Sequence, residues 1–260
     1  MNMVDAESLE LLRAIYLPGK SIVGLHIFCV NTPETIYGLS KFLVKHNAKL
    51  LYANILAKNG NAELTVFLDI TDATEPIDRI VDEISSLDFV RKVSIINPLF
   101  KGLIIDSVHF PILLMGKRAW IVSGAVLKGL FKDFKESFGD AGRVFLYHLG
   151  VGIGRDLYET YKEYVSSSLD MLELIKAFSK ALGWGIIEEI RLLAYGKYRV
   201  RVRHNLECEV CKPSNRPCGD FSRGILTGFF GKILGRKVYV EEIKCIAKGD
   251  PYCEFIIKLG

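Results

Sequence analysis

Five of the six cysteines in this 260-residue chain lie at or beyond position 208, and their order constrains the fold more than any other feature. Cys208 and Cys211 form a C-x-x-C, Cys218 opens a glycine-rich apolar stretch, and Glu242, Cys245 and Cys253 follow in E-I-K-C-I-A-K-G-D-P-Y-C. Zinc takes four sulfur, nitrogen or oxygen ligands in a tetrahedron. Thiolates and carboxylates at this density therefore predict a structural zinc site that ties the carrying segments together. In a reducing cytoplasm clustered cysteines are more often metal ligands or redox groups than disulfides. The chain has no glutamine while Lys, Glu and Ile are plentiful, a bias of heat-adapted proteins. In a hyperthermophile cytoplasm a Cys208 to Cys211 or Cys245 to Cys253 disulfide competes with metal.

The length allows two domains, each with its own core. The formal net charge of +4 is small and its basic residues are dispersed, so no nucleic-acid footprint is expected. The start, M-N-M-V-D-A-E-S-L-E-L-L, is acidic where a secretory signal is basic. The most apolar region, Leu103 to Phe131, is interrupted by Asp106, His109, Pro111, Lys117 and Arg118, which excludes a membrane span there. A soluble, cytoplasmic protein is expected.

Residues 5 to 15 carry an amphipathic pattern that predicts a docking helix within 1–19, ended by Pro18 and Gly19. From Lys20 the period changes. Ile22 to Val30 reads as a strand, Pro33 to Lys45 as a helix with proline in its first turn, Leu50 to Ala57 as a strand, and Glu63 to Ile70 as a strand after an N-G-N hairpin signal. A helix over about 75 to 87 and a strand from Val90 to Ile96 complete the order strand, helix, strand, strand, helix, strand, the split arrangement of a ferredoxin-like α+β domain. Residues 20–97 thereby resemble an ACT domain, a small-molecule regulatory module. The family's D-x-P-G turn is here N-T-P-E, Asn31 to Glu34, without its glycine. The resemblance thus favours a pairing domain, and exposed sheet edges of this kind commonly meet a second copy. A homodimer is expected.

Residues 98–115 read as a packed connection and first strand of a second domain, 116–260. That domain opens with helical patterns from Trp120 to Phe134, Arg143 to Tyr164 and Leu169 to Leu182. A hairpin of Ile186 to Leu193 with Tyr198 to His204 follows, then a helix over about 218 to 234 and a last hairpin, Lys237 to Ala247 with Tyr252 to Leu259. Centring that hairpin on Gly249 sets Cys245 opposite Cys253. Glu242, three positions from Cys245, faces away on a regular strand and needs a bulge to reach the ion. Glu241 has the matching parity and is the alternative.

The stretch P-C-G-D-F-S-R-G-I-L-T-G-F-F-G-K-I-L-G-R-K-V-Y-V-E-E-I-K-C-I-A-K-G-D-P-Y-C-E-F resembles the 4-vinyl reductase (V4R) domain family, which includes sensing domains of bacterial activators that respond to aromatic compounds. The resemblance implies an α/β plait related to the vesicle-tethering subunit fold, with an internal pocket. It also implies zinc held by Cys218, Glu242, Cys245 and Cys253. Cys208 and Cys211 are extra to that pattern. They could replace Glu242, form a half-site across a dimer, pair as a disulfide, or support an iron–sulfur cluster, which needs four cysteines in reach. Trp120, Tyr147, His148 and Trp184 are the candidates to line the apolar ligand pocket.

Gly150, Gly152 and Gly154 follow a helical pattern, so they read as close helix packing and not as a phosphate loop. Gly224, Gly228 and Gly231 form a similar stripe. The sequence carries no Ser/His/acid grouping, paired-carboxylate motif, P-loop or nicotinamide or flavin fingerprint. A small-molecule sensor or regulatory protein is the favoured expectation. An enzyme or accessory factor of tetrapyrrole metabolism and a lipid-holding scaffold are the alternatives.

Overall fold

The computed structural model describes residues 8–260, and the chain divides after Trp120 into two compact units. Both are α+β. No helix among the described residues is long and apolar enough to cross a membrane.

In the first unit, β1 (Ala14–Tyr16) is followed by β2 (Ile22–Val30), α1 (Pro33–Lys45), β3 (Lys49–Lys58), β4 (Asn61–Asp69), α2 (Ile77–Ser85) and β5 (Val90–Ile96). The sheet order β3-β4-β2-β5, antiparallel at every step, is the ferredoxin-like arrangement that the alternating apolar pattern predicts. Val23, Leu25, Ile27 and Cys29 of β2 and Leu64, Val66 and Leu68 of β4 share one face, where Ile80 and Ile84 of α2 and Phe42 of α1 close the core.

The opposite face is covered by a ribbon. β6 (Leu103–Ile105) pairs antiparallel with β1, and Ile15 and Ile104 bury Ile22, Phe67 and Ile96. Gly24 makes room, since a Cβ there would lie 2.8 Å from Ile96 and 3.1 Å from Ile104. Two expectations are corrected here. Residues 8–19 hold no helix, because the apolar residues about Ile15 gain more by pairing with β6 over the sheet; the rest of the predicted helix lies outside the described residues. The segment 98–115 is also part of the first unit and not the opening strand of the second. A short ribbon of β7 (Leu113–Leu114) and β8 (Lys117–Arg118) completes the unit.

The second unit begins with α3 (Gly124–Lys128), a π-helical turn at Gly129–Asp133 and α4 (Phe134–Tyr161), kinked at Gly139. A 3-10 turn, Lys162–Tyr164, leads to α5 (Ser168–Ala181), started by the Ser167 hydroxyl accepting from the Asp170 amide. β9 (Ile186–Ala194), β10 (Lys197–Arg203), α6 (Leu206–Val210), α7 (Asp220–Leu234), β11 (Val238–Lys244) and β12 (Cys253–Leu259) follow. The antiparallel sheet has the order β11-β12-β10-β9, and Phe229 and Phe230 of α7 and Val200, Phe255 and Ile257 of the sheet are fully or almost fully buried.

α4 and α7 meet backbone to backbone. A Cβ on Gly150 would strike the Phe221 carbonyl, one on Gly154 the Ile225 carbonyl, one on Gly224 the Tyr147 carbonyl and one on Gly228 the Val151 carbonyl. Gly150, Gly154, Gly224 and Gly228 are therefore packing positions, as their helical setting predicts, whereas Gly152 and Gly231 do not meet the partner backbone. This approach fixes α7, which carries one end of the candidate site.

Candidate functional site

The short helix α6 is capped by Asn205, whose side chain accepts from the Cys208 amide at 3.4 Å. Positions 208 and 211 follow one turn apart and lead to different neighbours. Cys208 joins Glu242, Cys245 and Cys253, and one ligand atom from each lies within 4.8 Å of the others. The three thiols are all but inaccessible to solvent. Cys211 instead meets Cys218 and Lys135.

The last hairpin explains how Glu242 enters. Its register breaks between Glu242, opposite Phe255, and Lys244, opposite Glu254. That irregularity is the bulge the parity argument requires, and beyond it the chain leaves β11 at Cys245. Gly219 then admits the carboxylate. Its amide donates to Glu242 Oε2 at 2.8 Å, and a Cβ at Gly219 would lie at the same 2.8 Å from that oxygen. Cys208 Sγ donates to the other oxygen, Oε1, at 3.6 Å.

A second carboxylate sits at the start of α7. Glu207 accepts from the Phe221 and Ser222 amides at 3.0 and 2.8 Å and from the Ser222 hydroxyl at 2.9 Å, satisfying amides a helix leaves free. The buried Lys135 ammonium stands 2.6 Å from Glu207 and 3.7 Å from Asp220, and it donates to the Cys218 carbonyl. Burial opposes its charge, but the facing Glu207 and Cys211 raise its pKa above the ordinary lysine value. Arg143 adds a 2.9 Å ion pair to Asp220. Sequence reasoning did not single out Lys135 or Glu207. A lysine inside an otherwise helical apolar pattern was the one signal available.

The electrostatics of the four-residue group are those of a site lacking positive charge. Burial, and then the neighbouring Cys245, pushes the Glu242 carboxyl up to about 8. Hydrogen bonds from Cys208 and Cys253 lower the Cys245 thiol, whereas bonding to Cys245 and Cys253 raises Cys208. Such a group could hold a metal: three sulfurs and one oxygen converge, and the buried negative charge has no cation among the four. Cys218 is not one of them. A hydrogen bond from Cys211 lowers its thiol to about 6, and its sulfur donates to the Arg216 carbonyl at 3.6 Å. Of the four residues the resemblance implies, Glu242, Cys245 and Cys253 converge and Cys218 does not; of the two extra cysteines, Cys208 joins the group and Cys211 lies with Cys218 beside Lys135. All six cysteines are free thiols.

An apolar cavity of about 140 Å³ lies in the same unit, lined by Trp184, Ile187, Ile190, Val202, Ile225, Phe229 and neighbouring side chains of α4 and α5. Asn205 and Ser222 add polar groups to its lining, and the Asn205 side-chain amide donates to the Ser222 hydroxyl at 3.2 Å. Trp184 stacks on Phe221 with ring centroids 5.8 Å apart. The expected pocket residues do not come together. Tyr147 and His148 line a separate, wider cleft with Arg155, Lys232 and Arg236, and Trp120 is 72% exposed.

Residues 198–259 match the V4R domain model. An uncharacterised protein of Methanocaldococcus jannaschii is 28% identical over 44% of this chain and 63% of its own length. A second uncharacterised protein of that organism is 33% identical over 43% of this chain and 48% of its own. The chain therefore spans less than two thirds of these relatives. Among solved structures, the phenol-responsive sensory domain of the transcription activator PoxR, determined with phenol, matches 56% of this chain and 79% of that one, at 21% identity and a TM-score of 0.49.

Proposed function

We propose that this protein is a small-molecule sensor or regulatory protein in which a structural zinc ion, held by Cys208, Glu242, Cys245 and Cys253, fixes one end of a ligand cavity. The observation that carries this reading is that one helix serves both features. Gly219, whose amide binds Glu242, caps the start of α7, and farther along the helix lines the cavity with Ser222, Ile225, Leu226, Phe229 and Phe230. β12 repeats the connection, with Cys253 in the metal group and Phe255 in the cavity wall.

Bound zinc would supply positive charge and a crosslink, with all its positions filled by protein and none left for substrate. The side chains do the rest. Cys208 anchors α6, Cys245 and Cys253 anchor the two strands of the last hairpin, and Glu242 bridges to the start of α7. A ligand that shifts α7 would thereby be felt at the hairpin. The cavity is smaller than the roughly 300–1,000 Å³ of sites for drug-sized ligands and comparable to the roughly 150 Å³ apolar cavity that accepts benzene. A single small ring with one polar substituent, facing Asn205 and Ser222, is the ligand class it suits.

The test is a thermal-shift and calorimetric screen of small aromatic and alicyclic compounds against the full chain and its Leu226→Trp variant, which fills the cavity. Saturable binding by the parent and at least a tenfold loss in the variant support the reading. Equal binding by both, or zinc absent from protein purified without added metal, refutes the corresponding half.

A further inference from the structure

A second convergence of ligating groups lies in the first unit. On the ribbon-covered face of the sheet, His26 of β2 stands opposite Thr65 of β4, and Glu63 follows two positions along β4 on the same face. His26 is 4% exposed. Its Nδ1 is 2.9 Å from Thr65 Oγ1, which leaves Nε2 toward Glu63 Oε1, at 3.0 Å.

His109 reaches the same place from the segment after β6. Asp106 Oδ1 accepts the Val108 and His109 amides at 3.1 and 3.2 Å, and its Oδ2 takes His109 Nδ1 at 2.8 Å. Arg13 braces that carboxylate at 2.6 Å. The opposite ring nitrogen, Nε2, meets Thr65 Oγ1 at 3.4 Å, a hydroxyl already engaged by His26. One ligand atom each from His26, Glu63 and His109 lies within 4.8 Å of the other two.

We propose that His26, Glu63 and His109 form a second metal site, for a divalent transition ion of the zinc class. Two imidazoles and one carboxylate are a ligand set that leaves coordination positions open to water or a small oxygen ligand. The support behind the ligands matches that use. A histidine that ligates through one nitrogen commonly gives its other N–H to a carboxylate or similar acceptor, which fixes the ring. Asp106 does this for His109, and Thr65 faces the second nitrogen of His26. An ordinary His26–Glu63 ion pair would need neither His109 nor the Asp106–Arg13 brace that orients it. The site shares no residue with the cysteine group, so either can stand without the other.

The experiment uses the full-length protein stripped by a chelator and titrated with cobalt(II), with metal counted by elemental mass spectrometry and thiolate-to-cobalt bands followed in the near ultraviolet. His109→Gln and Glu63→Gln are compared with the parent; Glu63 is partly exposed, so its isosteric change spares the fold. The expected result is that each variant loses one cobalt per chain, or binds it at least tenfold more weakly, while any thiolate band is unchanged. Cobalt content and affinity equal to the parent in both variants overturn the proposal. Loss of one cobalt in the variants with no thiolate band in any protein upholds this site and refutes the zinc reading of the cysteines.

Discussion

Glu242 is an acid whose folded-state pKa is raised, from 4.5 to about 8, whereas the Cys245 and Cys218 thiols are lowered and act on stability in the opposite sense. Between those values Glu242 keeps a proton in the folded chain that it has released in the unfolded chain, so this group's contribution to stability falls as pH rises through the window. At about 1.4 kcal/mol per pKa unit, the total is a few kcal/mol. The urea midpoint of chelator-stripped parent relative to that of chelator-stripped Glu242→Gln should therefore decline from about pH 5 to pH 8, a comparison in which the thiol contributions common to both proteins cancel. On the proposed reading zinc would displace that proton, so its binding should weaken as pH is lowered below about 8. Lys135 makes a different prediction. Its removal as Lys135→Met leaves Glu207 buried without its cation, and breaking a buried pair in this way costs about 3–5 kcal/mol. Denaturation of the variant in the presence of zinc would measure it; a loss under about 1 kcal/mol would show that the α7 amides alone satisfy Glu207.

The helix pair α4 and α7 depends on which glycines face the partner backbone. Gly154→Ala forces a methyl into the Ile225 carbonyl and should cost about 1–3 kcal/mol or more. Gly152 has nothing within 4 Å of an added Cβ, so Gly152→Ala should be neutral or stabilising by up to about 1 kcal/mol. Similar midpoints for the two variants would contradict the packing. Element order was readable in the sequence at this scale, because period-two and period-3.6 patterns alternate cleanly from β2 to β5. The parity mismatch of Glu242 and Cys245 even pointed to the irregularity in β11. The pairing of β1 with β6 was not readable, since a short apolar run around Ile15 fits helix or strand until its tertiary partner is known. Nor was the division of the cysteines: Cys208 and Cys211 differ by one helical turn, and only the burial of Lys135 beside Cys211 and Cys218 decides which of them meets Cys245. His26, Glu63 and His109 are far apart in sequence, so no local spacing could announce them.

Two separate cores govern the molecule as a whole. The first unit is held by the clusters around Leu25, Ile27 and Ile80 and around Ile15, Phe67 and Ile104, and the second by the cluster around Phe229, Phe230 and Phe255, which contains every cysteine after position 200. Units with their own cores unfold as their own cooperative transitions. A defect placed at the cysteine group should therefore act on one transition alone. Gly219→Ala is the chosen defect, because its methyl collides with Glu242 while leaving every thiol in place. The collision would move the carboxylate off the Gly219 amide and out of the four-residue group, removing both a buried hydrogen bond and a proposed zinc ligand, and loss of a metal site is among the few single changes that exceed the usual 0.5–3 kcal/mol. Calorimetry of the variant and the parent in the presence of zinc should show one transition lowered by about 5 °C or more in the variant and the other unmoved. To assign them, hydrogen exchange at intermediate temperature should find β10 to β12 opened and β2 to β5 still protected. If both transitions move together, the two cores are energetically coupled, and a ligand held by α7 would then have a route to the ferredoxin-like unit.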